Sequence, residues 1–189
     1  VLKQFWVSQH QRVRKDLYVT SAFGRIIPLL AILSELRGIV SEAERNSVNA
    51  PIQATSADIT KISMMLIYRE VKRRGWQDKV MLIGTVHDEL VFEIDPSVLE
   101  EAVDLFVPLM CRNPLVQKLN WPIPLTSDVE IGKNWSVPWN LWSMRAGEVR
   151  FFGDKKVKKP EDAAALGATW DELPTFPQTL LPFFKKRDL

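Results

Sequence analysis

The stretch from Val80 to Ile94 constrains the fold of this chain more than any other. Val80-Met81-Leu82-Ile83-Gly84-Thr85-Val86 and Leu90-Val91-Phe92-Glu93-Ile94 are two apolar runs separated by His87-Asp88-Glu89. Runs of this length, rich in Val, Ile, Leu and Phe, form strands that bury a face, and polar residues between two such runs form a turn. The pattern predicts a β-hairpin whose apolar faces pack in a sheet and whose tip carries the three polar side chains. Helical periodicity on both sides then makes the fold α+β.

Two adjacent carboxylates at a rigid turn are suited to gripping Mg²⁺, because the turn holds hard oxygen donors outside the core. That chemistry points toward metal-dependent nucleotidyl transfer. Polar residues also populate turns for purely conformational reasons, so the tip alone does not decide the matter.

The segment upstream is Glu44-Arg45-Asn46-Ser47-Val48-Asn49-Ala50-Pro51-Ile52-Gln53-Ala54-Thr55-Ser56-Ala57-Asp58-Ile59-Thr60-Lys61, and it leads into a long helix before the hairpin. In order and spacing the two segments resemble family A DNA polymerases, the bacterial DNA polymerase I type. The resemblance implies that Val86-His87-Asp88-Glu89-Leu90 is the third catalytic motif of that family. Asp88 is then the metal-binding aspartate, Glu89 the accessory carboxylate, and His87 a residue near the primer 3′ end. It further implies that Arg45, Asn49 and Gln53 contact template and primer close to the nascent base pair. Their spacing of four and four would align them on one helical face, although Pro51 predicts a break or a new helix start between them.

The chemistry accounts for these residue types. Attack of a primer hydroxyl on a deoxynucleoside triphosphate develops charge on phosphoryl and leaving oxygens, and two Mg²⁺ ions, with Mn²⁺ as a possible substitute, stabilise it. Minor-groove acceptors are present in all four Watson-Crick pairs, so Arg and Gln donors there test pair shape without reading sequence.

Two parts of the family pattern are missing from these residues. No segment like Asp-Tyr-Ser-Gln-Ile-Glu carries the other metal-binding aspartate, and no Lys precedes Phe23-Gly24 by four residues, where Val19 stands. Phe23-Gly24-Arg25-Ile26-Ile27-Pro28 matches instead the loop that follows the fingers helices. The expected division is 1–40 end of fingers, 41–135 second half of the palm, and 136–189 C-terminal extension. The expectation is a fragment of a longer polypeptide or one subunit of a split polymerase, needing an N-terminal portion or partner. Val1 in place of Met is compatible with either. The interrupted layout and the tail lean toward a bacterial virus as the source.

Composition is permissive. The chain has 189 residues, 46% of them hydrophobic, enough for one sizeable core and a tail but not for thumb, fingers and palm together. Its net charge of +2 gives no strong electrostatic signature for DNA. The single Cys111 cannot form an internal disulfide and is expected to behave as a small buried hydrophobe. No apolar run approaches the roughly 20 residues of a membrane span and no signal-peptide pattern opens the chain, which points to a cytoplasmic setting and no membrane partner.

Periodicity predicts a helix from Val1 to about Leu17 and an ambiguous apolar stretch from Ile26 to Val40. A helix start is predicted at Ser41-Glu42-Ala43-Glu44, which has capping-box spacing, and a second helix from near Pro51 to Arg74, ended by Gly75. That second helix should bury Ile59, Ile62, Leu66 and Tyr68 or its neighbours. Asp95 caps a further helix with Leu99, Val103, Phe106 and Val107 on its apolar face. Ile123 to Ile131 is predicted as a closing strand, with Asp128 and Glu130 on its solvated side. Asp58, Glu44 and Lys61 are expected to be helix-surface charges, and His10 a surface residue. Taken apart from the hairpin, Arg45 and Gln53 are better explained by helix capping or an internal salt bridge.

Beyond the family's usual end, Trp135, Trp139 and Trp142 suggest docking onto the palm or a partner. Lys155-Lys156-Val157-Lys158-Lys159-Pro160-Glu161-Asp162 is expected to be a mobile solvated linker or a weak phosphate contact. Gln178-Thr179-Leu180-Leu181-Pro182-Phe183-Phe184 resembles the short peptide with which bacterial replication proteins bind a sliding clamp, with Gln178, Leu181, Phe183 and Phe184 as its anchors. The plain alternative is that these side chains cover an apolar patch. For the chain as a whole, the expectation is primer extension on primer-template DNA; the alternative is a non-catalytic DNA-binding or replisome-tethering subunit that keeps the palm hairpin.

Overall fold

In the computed structural model, which describes residues 1–134 and 138–184, the chain forms two compact units. One comprises Val1–Glu93 with Pro108–Pro124, the other Ile94–Val107 with Leu125–Leu189.

The first unit is organised by one long helix. The helix α1 (Leu2–Asp16) ends where Leu17 turns left-handed at φ 64° and donates its N–H to the Val13 carbonyl. The strands β1 (Tyr18–Thr20) and β2 (Ile26–Pro28) then pair antiparallel, Val19 opposite Ile27. A 3₁₀ turn at Leu30–Leu33 leads into α2 (Arg37–Arg73). Val13, Val19, Ile32 and Ala43 make the core between these elements. The helix α2 ends as expected: Gly75 adopts φ 68° and donates to the Lys72 carbonyl, and Trp76 donates to the Val71 carbonyl, the paired bonds of a Schellman stop.

Two expectations about α2 are corrected. It starts at Arg37 rather than at the Ser41–Glu44 capping box, and it runs through Pro51 without a break. Its buried residues explain why. Ala43, Ser47, Pro51, Thr55, Ser63, Ile67 and Val71 lie at four-residue steps and are buried, with half-buried Ile59 filling the one gap. Proline cannot donate to the Ser47 carbonyl, but it is buried among small residues, and packing outweighs the one lost hydrogen bond. Thr55 Oγ1 donates to the Pro51 carbonyl at 2.6 Å and accepts from the Ala22 N–H at 2.9 Å, so the turn around Pro51 is tied to the preceding loop. Because each four-residue step advances about 40° around an ideal helix, the stripe winds around α2, so its two halves serve different neighbours. Tyr68 falls off this stripe and is exposed, whereas Ile67 beside it is buried.

The strands β3 (Val80–Val86) and β4 (Glu89–Ile94) form the predicted hairpin, closed by the two residues His87 and Asp88. The expected packing of its apolar faces in a sheet is corrected: among the described residues the two strands pair only with each other, and most of β3 is exposed. Asp95 caps the next turn by accepting from the Ser97 N–H at 2.8 Å, and α3 (Leu99–Cys111) follows. Cys111 is half-buried at the end of α3, and burial pushes its thiol above the usual range, partly offset by Arg112.

Asn113 caps α4 (Pro114–Leu119) by accepting from the Leu115 and Val116 N–H groups. Its amide also donates to Ser63 Oγ at 2.9 Å, so a fully buried polar side chain joins α4 to the α2 stripe.

The second unit carries short strand pairs. Of the predicted closing strand only β5 (Glu130–Ile131) forms, paired antiparallel with β6 (Trp139–Asn140). Among the described residues, all strands belong to two-stranded sheets. The helix α5 (Leu141–Arg145) follows, then the hairpin of β7 (Arg150–Phe152) and β8 (Lys155–Val157), then α6 (Pro160–Ala165). The core contains Val103 of α3 with Leu141, Met144, Phe151, Phe176 and Phe184.

This arrangement corrects the mobile-linker expectation, because Lys155–Val157 is a strand and Pro160–Ala165 a helix, held by buried Val157, Ala163 and Leu173. The tryptophan expectation changes too. Trp139 is buried edge-on against Phe151, and Trp142 donates its ring N–H to the Ser127 carbonyl at 3.1 Å, so both serve their own unit. Trp135 lies outside the described residues.

Replacing Asn113 by Ala removes a helix cap and leaves Ser63 without its buried donor, and should destabilise the first unit by about 2 kcal/mol. Urea unfolding followed by the far-ultraviolet circular dichroism of the helices should show this as a lower midpoint with an unchanged slope.

Candidate functional site

The hairpin tip exists because two apolar strands must be joined by the shortest connection that fits their twist. His87 takes φ 53° while Asp88 stays at negative φ, so the strained position of the turn belongs to a residue with a Cβ. Left-handed backbone costs a non-glycine residue about 1 kcal/mol. Such strain is retained where the side chain has a use.

His87, Asp88 and Glu89 are all exposed, together at the tip. The strand behind them leaves apolar surface uncovered: Met81 is 60%, Leu82 38%, Ile83 53% and Val86 36% exposed. Since neighbouring residues of a strand point to opposite faces, Leu82 and Ile83 show that both faces of β3 are open.

On α2 the structure places Arg45, Asn49 and Gln53 on one exposed face of a continuous helix, which the predicted break at Pro51 would have dispersed. Successive members stand about 6 Å apart along the axis. Arg45 makes one long hydrogen bond, 3.4 Å to Ser41 Oγ, and the neighbouring Glu44 pairs instead with Arg14. The salt-bridge explanation of Arg45 therefore does not hold. Among the described residues no hydrogen bond or ion pair joins this face to the hairpin tip.

Asp58, expected to be a plain surface charge, is an anchor. Arg25 Nη2 meets Asp58 Oδ1 at 2.7 Å and also donates to the Ala54 carbonyl at 2.7 Å. The Phe23-Gly24-Arg25 loop is thereby clamped to α2, with Ser21 Oγ accepting from the Arg25 N–H. An open concavity of about 550 Å³ lies along this clamp, lined by Phe23, Arg25, Asp58, Lys61 and Met65. Sequence reasoning missed Asp58 because its partner is 33 residues away and carries no periodic signal.

Carboxylate oxygens are the donors Mg²⁺ takes, so Asp88 and Glu89 fit as part of a coordination set. They do not complete one: among the described residues no group of three His, Cys, Asp or Glu side chains is placed to hold a metal ion. Nor does any described helix have the length and apolarity to cross a membrane.

The clamp-like segment is placed differently from a free peptide. Leu180 and Phe184 are buried, Phe184 stacks on Phe176 with ring centroids 4.2 Å apart, and Leu181 and Phe183 pack against the same core. Gln178 is exposed, but its backbone N–H is bonded to the Gly153 carbonyl. Serving as a clamp peptide would require Phe184 to leave this core, at a cost of roughly 2–3 kcal/mol.

The profile of DNA polymerase family A matches residues 1–137, which include the hairpin tip and the α2 face. DNA polymerase I of Rhizobium leguminosarum is 31% identical over 134 residues, 71% of this chain and 13% of that protein. DNA polymerase I of Mycobacterium tuberculosis H37Rv is 33% identical over 125 residues, 66% of this chain and 13% of that protein. A solved structure, the POL domain of Pol1 from M. smegmatis in complex with DNA primer-template and dNTP, aligns with a TM-score of 0.56 at 30% identity. It covers 65% of this chain and 20% of that one. The chain thus spans about an eighth of the curated relatives it matches.

His87→Gly should keep the hairpin folded, within about 1 kcal/mol of wild type or slightly above it, because glycine accepts the left-handed turn. His87→Val should destabilise it by more than that, since a β-branched residue fits this φ worst. Thermal unfolding of the three proteins in parallel measures the order.

Proposed function

This chain belongs to DNA polymerase family A, and on that premise we propose that it supplies the Asp88 part of the catalytic centre of a DNA-directed DNA polymerase. The reading rests chiefly on one observation: two exposed carboxylates stand at a two-residue hairpin tip inside the span that matches the family. In this reading an N-terminal portion or partner supplies the other aspartate and the triphosphate-binding helix. The uncovered apolar faces of β3 support it, since exposed Leu82 and Ile83 need a covering segment.

Each group has a defined task in this proposal. Asp88 holds an oxygen ligand in a fixed position, with no core burial to be undone, and Glu89 adds negative charge beside it. Two Mg²⁺ ions, or Mn²⁺ in their place, would supply charge stabilisation for in-line phosphoryl transfer when bound. His87 lies at the same tip, where the primer terminus would be positioned. Arg45 and Gln53 present donors, and Asn49 a donor and an acceptor, along one helix face. A face of this kind suits minor-groove acceptors common to all base pairs and penalises a mispair by leaving donors unmatched.

The alternative, a non-catalytic DNA-binding or replisome-tethering subunit, draws on the incomplete donor set among the described residues. Asp88→Ala separates the two. In primer extension reconstituted with the partner, synthesis should fall by about a thousand-fold or more, while partner assembly and primer-template binding persist. Unchanged synthesis in Asp88→Ala would remove Asp88 from the centre, and absence of synthesis in every wild-type combination would favour the tethering subunit.

A further inference from the structure

Residues beyond the family match carry a surface of their own. Lys155, Lys156, Lys158 and Lys159 fall within five consecutive residues and all four side chains are exposed. Among the described residues, none is joined to a carboxylate. The nearest acid in the hairpin, Asp154, is engaged by Lys133 at 3.6 Å and by the Thr179 N–H at 3.2 Å. Four unpaired lysines lie along about 13 Å of strand and loop. Lys155 is on the Phe152 face of the hairpin and Lys156 on the Phe151 face, so positive charge flanks β8 from both sides before Glu161 and Asp162 in the first turn of α6.

The hairpin is also held in place. Phe151 and Val157 point to opposite faces of the β7–β8 hairpin, and both are buried, in two separate apolar clusters. The hairpin is therefore pinned from both sides, and the lysines do not lose a free tail's entropy when a partner arrives. Lys155 lies directly opposite Phe152, a residue 47% exposed. An exposed aromatic beside unpaired lysines is the combination that holds a nucleic-acid strand: cations on the phosphates, a ring for a base.

We propose that the β7–β8 hairpin and the residues that follow it are a second, sequence-independent contact for the DNA phosphodiester backbone, made by Lys155, Lys156, Lys158 and Lys159 with Phe152 beside Lys155. This contact is independent of the catalytic reading and needs no metal. It would tether DNA through a surface that the profile match does not cover.

The test is fluorescence anisotropy of the whole chain on a labelled oligonucleotide, single-stranded in one arm and duplex in the other, between about 50 and 200 mM salt. Wild type is compared with a quadruple Lys→Gln variant and a quadruple Lys→Arg variant. Neutralising four phosphate contacts should flatten the slope of log affinity against log salt by as much as about 3.6 on duplex and 2.8 on single strand, and the arginine variant should restore it. A loss confined to one arm identifies that form of DNA as the ligand, and weakening by Phe152→Ala on single strand alone assigns the ring to base stacking. A wild-type slope in the glutamine variant on both forms, no binding by wild type, or failure of the arginine variant to restore binding would overturn the proposal. Because no synthesis is measured, the result does not depend on whether Asp88 is catalytic.

Discussion

The hydroxyl of Thr55 is a small group on which much of the first unit depends. It lies buried on α2, donating to the carbonyl of Pro51 and accepting from the backbone of Ala22. One group thereby steadies the helix across its proline and fixes the loop that precedes β2. Arg25 closes the same loop onto Asp58 and Ala54. Without this junction, neither a continuous α2 nor the single exposed face of Arg45, Asn49 and Gln53 follows from the local sequence.

The stripe on α2 has a general lesson. Its buried positions are Ala, Ser, Pro, Thr, Ser, Ile and Val, so the buried side is small and partly polar, and several large apolar residues point outward. A search for amphipathic periodicity weights large apolar side chains and so places the boundary wrongly. Small side chains let the helix approach its neighbours closely, and the buried hydroxyls stay satisfied by bonding to carbonyls one turn back or near it, as Ser47, Thr55 and Ser63 do. Asn113 uses that same stripe when it caps α4 and reaches Ser63.

The second unit illustrates how composition misleads when it is read without contacts. Trp139 and Trp142, which resembled a docking surface, and Leu180, Leu181, Phe183 and Phe184, which resembled a free peptide, lie in its core or pack against it. Of the lysines between them, Lys155 and Lys156 lie in a strand, not a linker, and Val157 beside them is buried. Their charge stays at the surface while the backbone that carries them is ordered.

The sequence by itself determined the local features: the hairpin and its acidic tip, the αL stop at Gly75, the Asp95 cap, the α+β class and the polymerase resemblance. Each depends on residues within a few positions of one another, where turn chemistry, alternation and motif spacing are visible in one dimension. Tertiary structure alone decided the rest. Whether α2 continues through Pro51, whether Asp58 is free or clamped by Arg25, and whether Phe184 is exposed or stacked on Phe176 all depend on partners distant along the chain. Burial and long-range hydrogen bonds set those outcomes, and they outweigh the weak local preferences that a sequence displays.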